Sequence, residues 1–173
     1  MLFIFILLIL IMLAFFQPRW LFKLVEKIAP GVKYFAETEQ PIVALTIDDG
    51  LHWQTTPKIL ATLKKYQAHA TFFLISERIP SNELIFEQII QNGHEIGNHM
   101  VRDEKSIDLS LNEFEVQLLE ADSILSKLVN KHSRTSQGIK FNRIKWFRPG
   151  GGWYNQKMID IAQKYGYQSV LGS

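Results

Sequence analysis

The stretch PIVALTIDDG, residues 41–50, joins an apolar, β-branched run to two carboxylates and a glycine. Residues 41–47 predict a buried strand, because a strand covered on both faces carries a nearly continuous apolar sequence. Asp48 and Asp49 follow at its carboxyl end, where α/β folds place their functional sites. Gly50 permits a turn that lets both carboxylates reach one pocket. Taken alone, the same residues equally fit a solvated, aspartate-rich turn.

Strands and helices alternate along the remainder of the chain. Four more strands are predicted at residues 70–75, 94–97, 145–148 and 167–171. Helices are predicted to begin at Thr55 or Thr56, at Asn82, at Ser110 and at Asn155. Ser110 and Glu113 match the capping box, in which each residue satisfies a backbone donor of the other. Alternation of this kind with apolar strands predicts an α/β fold with parallel strand pairing.

The composition limits the classes of function that the chain can have. Its 173 residues are one domain's length, and 47% hydrophobic with 21% charged residues excludes a disordered or fibrous chain. A formal net charge of +2 gives no argument for a nucleic-acid partner. Because the sequence contains no cysteine, disulfides, Cys-ligated zinc and thiol catalysis are excluded.

Residues 1–16 form an apolar leader without a charged side chain. As a helix this leader would span ~24 Å, somewhat less than a ~30 Å hydrocarbon core, and residues 17–18 extend it. We predict a transmembrane signal anchor over residues 1–18 and a juxtamembrane connector over residues 19–40, hence a single-pass membrane protein. A cleaved signal peptide and a buried core helix are the alternatives. Basic residues follow the leader and favour a cytoplasmic domain, so sequence physics leaves the side open.

Two more polar clusters follow predicted strands. His99 and Asp103 are four residues apart, a spacing that places two ligands on one face of a helical turn. A neutral imidazole with carboxylates suits zinc or another divalent transition metal, and a simple surface pair is the alternative. Gly150, Gly151 and Gly152 follow the fourth strand. They either expose backbone N–H groups to an oxyanion or form a flexible turn.

Three motifs together resemble those of the polysaccharide deacetylase family, also called the NodB-homology family or carbohydrate esterase family four. The motifs are TIDDG at residues 46–50, GHEIGNH at residues 93–99 and FRPGG at residues 147–151. Thr71-Phe72-Phe73 also matches a strand of this family, and the resemblance covers residues 41–173. It implies an α/β fold, a distorted (β/α) barrel, here preceded by the hydrophobic N-terminal helix.

The resemblance also implies a role for each residue that matches a motif. Asp48 corresponds to the general base of the family, and Arg148 corresponds to the arginine that orients this base. Asp49 and His99 correspond to ligands of one divalent metal, usually zinc. His94 lies within the second motif, and we interpret it as a structural partner beside the site.

The sequence departs from the family pattern at three places. Asp103 stands where the family has its second histidine ligand, and the resulting Asp–His–Asp shell suits zinc with manganese or cobalt as alternatives. In the oxyanion-binding loop Pro149, Gly150 and Gly151, the two glycines replace a proline and an aromatic residue. The later motifs, one of which carries the general-acid histidine, would lie beyond Ser173. The barrel is therefore expected to be incomplete, as in a C-terminally truncated domain.

These implications predict a metal-dependent hydrolase that removes N- or O-linked acetyl groups from a glycan such as chitin or peptidoglycan. The domain is expected outside the cytoplasm, where such glycans lie, with residues 1–16 in the membrane. A membrane-anchored glycan-binding pseudoenzyme or inactive fragment is the alternative. A phosphoesterase that uses the basic stretch at residues 127–148 is a third hypothesis. Without the general acid, amide hydrolysis should be slower than ester hydrolysis.

Overall fold

The computed structural model describes residues 2–16, 18–28, 30–133 and 144–171. In this part of the chain the helices are α1 (Leu2–Phe16), α2 (Arg19–Ile28), α3 (Thr55–Lys65), α4 (Glu83–Gln91), α5 (Leu111–Ser133) and α6 (Gln156–Lys164). The strands are β1 (Val32–Lys33), β2 (Thr46–Ile47), β3 (Thr71–Leu74), β4 (Glu95–Asn98), β5 (Trp146–Phe147) and β6 (Gln168–Val170). The remaining residues lie outside the described residues; they include both ends of the chain and residues 134–143 of the basic stretch.

The six strands form one parallel sheet in the order β1-β6-β5-β4-β3-β2. From β2 to β6 each strand is joined to the next through one helix, α3 to α6 in turn. Parallel strands require such crossovers, so the predicted α/β fold with parallel pairing is confirmed. Because all strands run in the same direction, the carboxyl ends of β2 to β5 meet at one edge of the sheet.

Helices α3 to α6 cover one face of the sheet and form the main hydrophobic core. The strand residues of this core are at most 2% exposed: Phe72, Leu74, Ile96 and Phe147. The helix residues that pack against them are fully buried: Phe86, Ile89, Phe114, Leu118 and Leu125. Full burial of such a side chain contributes ~1.5–3 kcal/mol, so this layer holds the strand ends in place.

The other face of the sheet supports the polar groups of the site. Phe73 and Gly97 are register partners in neighbouring strands. A Cβ atom at Gly97 would lie 2.5 Å from the Phe73 ring, so glycine makes room for this ring. The guanidinium carbon of Arg148 lies 4.2 Å from the centroid of the same ring. This cation–π contact places the arginine against the sheet.

The predicted helix starts at Ser110 and Asn155 are confirmed by their caps. Ser110 N donates to Glu113 Oε2 at 3.0 Å, and Glu113 N donates to Ser110 Oγ at 3.3 Å. These hydrogen bonds lower the pKa of Glu113, since they favour its ionised form. At the start of α6, Asn155 Oδ1 accepts a hydrogen bond from Met158 N at 3.1 Å. Both helices therefore begin where their sequences predict.

The strand predicted over residues 41–47 is much shorter in the structure. Only Thr46–Ile47 forms a strand, while Ile42 and Val43 are 63% and 87% exposed. Strand β2 is the last strand of the sheet and pairs with β3 alone among the described strands. Its apolar residues therefore lack a second neighbour. The prediction of a buried strand is wrong, because an apolar run does not reveal a strand's position within the sheet.

Part of the predicted connector contributes to the sheet. Val32 and Lys33 form β1, which pairs with β6, and Val32 is 3% exposed. Close to this strand, the hydroxyl oxygens of Tyr34 and Tyr154 lie 2.6 Å apart. Burial and this hydrogen bond raise the pKa of Tyr34. Residues 32–34 are thus tied to the segment that follows β5.

Helix α1 consists of fifteen apolar residues. Several of its side chains are exposed, among them Phe3 at 79% and Phe15 at 81%. Within the described part of the chain, no helix is both long enough and apolar enough to cross a membrane. The transmembrane anchor over residues 1–18 stays a prediction, and Met1 and Gln17 lie outside the described residues.

Candidate active site

Three strand ends bring predicted site residues to the same edge of the sheet. Asp48 and Asp49 follow β2, His99 follows β4 and Arg148 follows β5. The backbone is left-handed at Asp49, with φ 62°, and at Met100 directly after His99, with φ 71°. Each such conformation costs a non-glycine residue ~1–3 kcal/mol and is typical of functional sites. These turns redirect the chain so that neighbouring side chains reach one pocket.

Arg148 fixes the position of Asp48. Its Nη1 donates to Asp48 Oδ1 at 2.6 Å and to Thr46 Oγ1 at 3.1 Å, while its Nε donates to Val170 O at 3.1 Å. The Arg148 side chain is 6% exposed, whereas the Asp48 side chain is 41% exposed. A buried guanidinium therefore holds a carboxylate that still faces solvent. Hydrogen bonds between charged groups are about twice as strong as neutral ones, which makes this orientation rigid.

His99 is held by the same arginine through its main chain. His99 Nδ1 lies 2.7 Å from Arg148 O, and a carbonyl oxygen only accepts, so Nδ1 carries the proton. The other ring nitrogen, Nε2, faces Asp49 Oδ1 at 3.3 Å. A proton on Nε2 or a bound cation would bridge these two atoms. An imidazole whose other nitrogen donates to a carbonyl is typical of metal-binding histidines.

Asp103 reaches the same edge but contacts a cation of the chain itself. Asp103 Oδ2 accepts a hydrogen bond from Arg78 Nη2 at 2.6 Å. The neighbouring Arg78 Nη1 donates to Asp49 O, also at 2.6 Å. Among the described residues, no group of three His, Asp or Glu side chains is arranged to hold a metal ion. The structure thus brings Asp49 and His99 together and places Asp103 on Arg78.

The glycine loop after Arg148 has little space around it. A Cβ atom at position 150 would lie 2.0 Å from Glu104 O, and Gly150 N donates to Ser106 Oγ at 2.8 Å. The family has proline at this place. A proline here would lack the N–H that donates to Ser106, and its Cβ would collide with Glu104 O. Gly151 has φ 64°, and its N–H donates to no acceptor within the described residues. The oxyanion role of this loop stays a prediction.

A buried polar network supports the turn that carries His99. Asn98 Oδ1 accepts a hydrogen bond from Met100 N at 2.8 Å, and Asn98 Nδ2 donates to Tyr167 OH at 3.0 Å. The hydroxyl of Tyr167 donates in turn to Asp122. Asn98 is fully buried. This network fixes the left-handed turn at Met100 and so aims the imidazole of His99.

The sequence profile described as polysaccharide deacetylase matches residues 35–170. The chain belongs to the polysaccharide deacetylase family. The predicted family is thereby confirmed. The open parallel sheet with its helices forms part of a (β/α) barrel and aligns with a solved structure of this family at a TM-score of 0.71, which confirms the predicted incomplete (β/α) barrel.

Three relatives illustrate the likeness. The chain is 32% identical to a peptidoglycan-N-acetylglucosamine deacetylase of Bacillus cereus, over 82% of this chain and 61% of the relative. A carbohydrate esterase family four pseudoenzyme from Bacillus anthracis matches with a TM-score of 0.71 and 25% identity, over 82% of this chain and 47% of that one. A family four acetyl xylan esterase from Clostridium thermocellum, in complex with a cobalt ion, matches with a TM-score of 0.58 and 25% identity, over 68% and 53% of the two chains. The chain spans less than two thirds of each relative.

Two contributors to the site escaped the sequence analysis. One is Arg78, a basic residue shortly after β3. The carboxyl end of β3 borders the site, so a basic residue at this position is the sequence signal that could have identified Arg78. Thr46 is the other, because its hydroxyl shares Arg148 Nη1 with Asp48. Both contacts join residues far apart in the sequence, so no local pattern predicts them.

Proposed function

We propose that this chain carries the active site of a metal-dependent deacetylase that removes acetyl groups from the amino sugars of peptidoglycan or a related glycan. One observation carries the proposal: Arg148 holds Asp48 with its side chain and His99 with its main chain. A base and a metal-binding imidazole are thereby fixed to one residue. Family membership and the likeness to a peptidoglycan deacetylase support the reaction and the substrate class.

The donor set partly fits one divalent ion. Asp49 and His99 would hold it, because His99 Nε2 and Asp49 Oδ1 face each other 3.3 Å apart. Zinc is proposed, with manganese or cobalt as alternatives, since an imidazole with carboxylates suits all three. The cobalt ion of the related esterase supports a divalent ion in this family. When bound, such an ion lowers the pKa of its water and polarises the acetyl carbonyl.

The residues of the chain supply the remaining chemistry. Asp48 accepts the proton of the attacking water on the carboxylate oxygen that Arg148 does not hold. General-base catalysis of this kind contributes ~10²–10⁴-fold to a rate. The Gly151 N–H donates a hydrogen bond to the oxygen of the tetrahedral intermediate, and one such donor is worth ~10²–10³-fold.

The experiment that tests the function measures acetate release by the full chain with added zinc. The substrates are acetylated peptidoglycan and an activated acetyl ester, whose leaving group needs no proton. We expect acetate release from both substrates and no phosphate release from a phosphate monoester, the substrate of the third hypothesis. Asp48→Asn is the inactive reference, because it keeps the shape of the site without the base.

A glycan-binding pseudoenzyme is the second candidate function. The likeness to a pseudoenzyme of the same family and the placement of Asp103 on Arg78 both favour it. It predicts that the chain sediments with insoluble peptidoglycan while neither the peptidoglycan nor the activated ester releases acetate. This result would replace the deacetylase proposal.

We further propose that residues 1–16 attach the protein to a membrane, with the domain outside the cytoplasm. The apolar sequence of α1 and the exposure of its large side chains support the attachment. Protease treatment of intact cells should cut the domain, whereas a domain protected until the cells are lysed would contradict the proposed side. Recovery of the protein in the soluble fraction after lysis would contradict the attachment.

A further inference from the structure

Arg78 lies between two segments of the candidate site. It belongs to the turn Ser76–Arg78 after β3, a strand that supplies none of the predicted site residues. Its Nη1 donates to the main-chain oxygen of Asp49, and its Nη2 donates to the carboxylate of Asp103, both at 2.6 Å. The guanidinium is thus fixed at both ends. It cannot move away from one partner without straining its contact with the other.

The same carboxylate is the third candidate ligand for a divalent ion at Asp49 and His99. An ion and a guanidinium both require close contact with carboxylate oxygens, and the two cations repel each other. With Asp103 on Arg78, the site presents two ligands instead of three. The Asp103 side chain is 62% exposed, so it has room to leave the guanidinium, which stays on Asp49 O.

We propose that Arg78 is a resident competitor for Asp103 and thereby sets the affinity of this site for a divalent ion. The inference rests on the proposed metal-dependent function. Binding of the ion moves Asp103 from the guanidinium to the ion, and the lost ion pair subtracts from the binding free energy. Arg78 acts through Asp103, so it is a positioning residue of the metal site.

A double-mutant cycle on the full chain tests the competition, with calorimetry of zinc binding as the readout. Arg78→Gln should bind zinc about fivefold more tightly or better, in line with the coupling energies of contacting residues. In the Asp103→Ala background the same substitution should give no gain, because no carboxylate is left to release. Arg78→Lys keeps the positive charge but cannot make both hydrogen bonds. Its zinc affinity should therefore lie between those of the parent and Arg78→Gln.

Two controls separate competition from a general effect of charge. Arg102→Gln removes the same charge from the residue next to Asp103, and its effect should be small and equal in both backgrounds. Lys164→Gln removes a cation paired with Glu115 at the end of α6, and it should leave zinc affinity unchanged. Thermal melts of each variant identify any loss of folding, and Arg78→Lys takes the place of Arg78→Gln if the latter unfolds.

Several outcomes would overturn the inference. They are equal or weaker zinc binding by Arg78→Gln, an equal gain in the Asp103→Ala background, and the absence of zinc binding in every variant. Loss of affinity in Arg78→Gln would instead assign Arg78 to holding the left-handed turn at Asp49. A confirmed gain without acetate release would refute only the deacetylase proposal, because affinity and turnover are measured separately.

Discussion

His94 and His99 belong to one seven-residue motif, yet they stand at opposite ends of β4. His99 lies at the carboxyl end, where Arg148 O binds its Nδ1 and Asp49 faces its Nε2. His94 lies at the amino end, 2% exposed, where its Nδ1 accepts a hydrogen bond from Ala70 N at 3.4 Å. A short parallel strand thus separates a site residue from a packing residue within one motif.

The surroundings of the two imidazoles explain the separation. The ring of His94 packs against Phe72, with centroids 5.4 Å apart, and against His69, with centroids 5.7 Å apart. Its Nε2 has no hydrogen-bond partner within the described residues. The polar groups near His99 come instead from two other strand ends, those of β2 and β5. We therefore expect changes at the carboxyl edge to alter chemistry and changes at the amino edge to alter stability.

The largest expected effect is that of Asp48→Asn at the carboxyl edge. Turnover of the activated acetyl ester should fall by ~10²–10⁴-fold, because the amide cannot take the proton of the attacking water. Zinc affinity should stay that of the parent, since Asp48 binds Arg148 and is not a proposed ligand. Steady-state kinetics and calorimetry on the same samples check both statements. Full activity with zinc bound would remove Asp48 from the proposed role of base.

The next effect separates the two histidines by metal binding. His99→Gln should weaken zinc binding by ~10–100-fold or more, since even loss of an outer partner of a ligand costs this much. His94→Gln is the matched control, because it makes the same change at the other end of β4. Its zinc affinity should equal that of the parent. Equal losses in both variants would show that the strand, and not the imidazole of His99, determines the affinity.

These residues also show how much the sequence could predict. The helix starts are local signals, and the reciprocal bonds of Ser110 and Glu113 confirm one of them. Asp48 and Arg148 are 100 residues apart, and only the family resemblance predicted their contact. Arg78 was missed because its partners depend on how the strand ends meet. The exposure of residues 41–45 was missed because sheet order is a property of the whole chain.

The smallest effect belongs to the amino edge and appears as a pH dependence of stability. Burial, and then the charge of His69, lower the pKa of His94 below its ordinary value of 6.5, so the unfolded chain binds a proton there more readily than the folded one. The free energy of unfolding should therefore have its full value above pH 6.5. It should fall as the pH drops from 6.5 toward the pKa of His94 in the folded chain. Urea titrations between pH 5 and 8 of parent and His94→Gln measure this difference. The variant should show a flatter pH dependence than the parent. If His94→Gln keeps the slope of the parent, then the buried imidazole at the amino edge does not link folding to pH, and the contrast between the two ends of β4 would rest on metal binding alone.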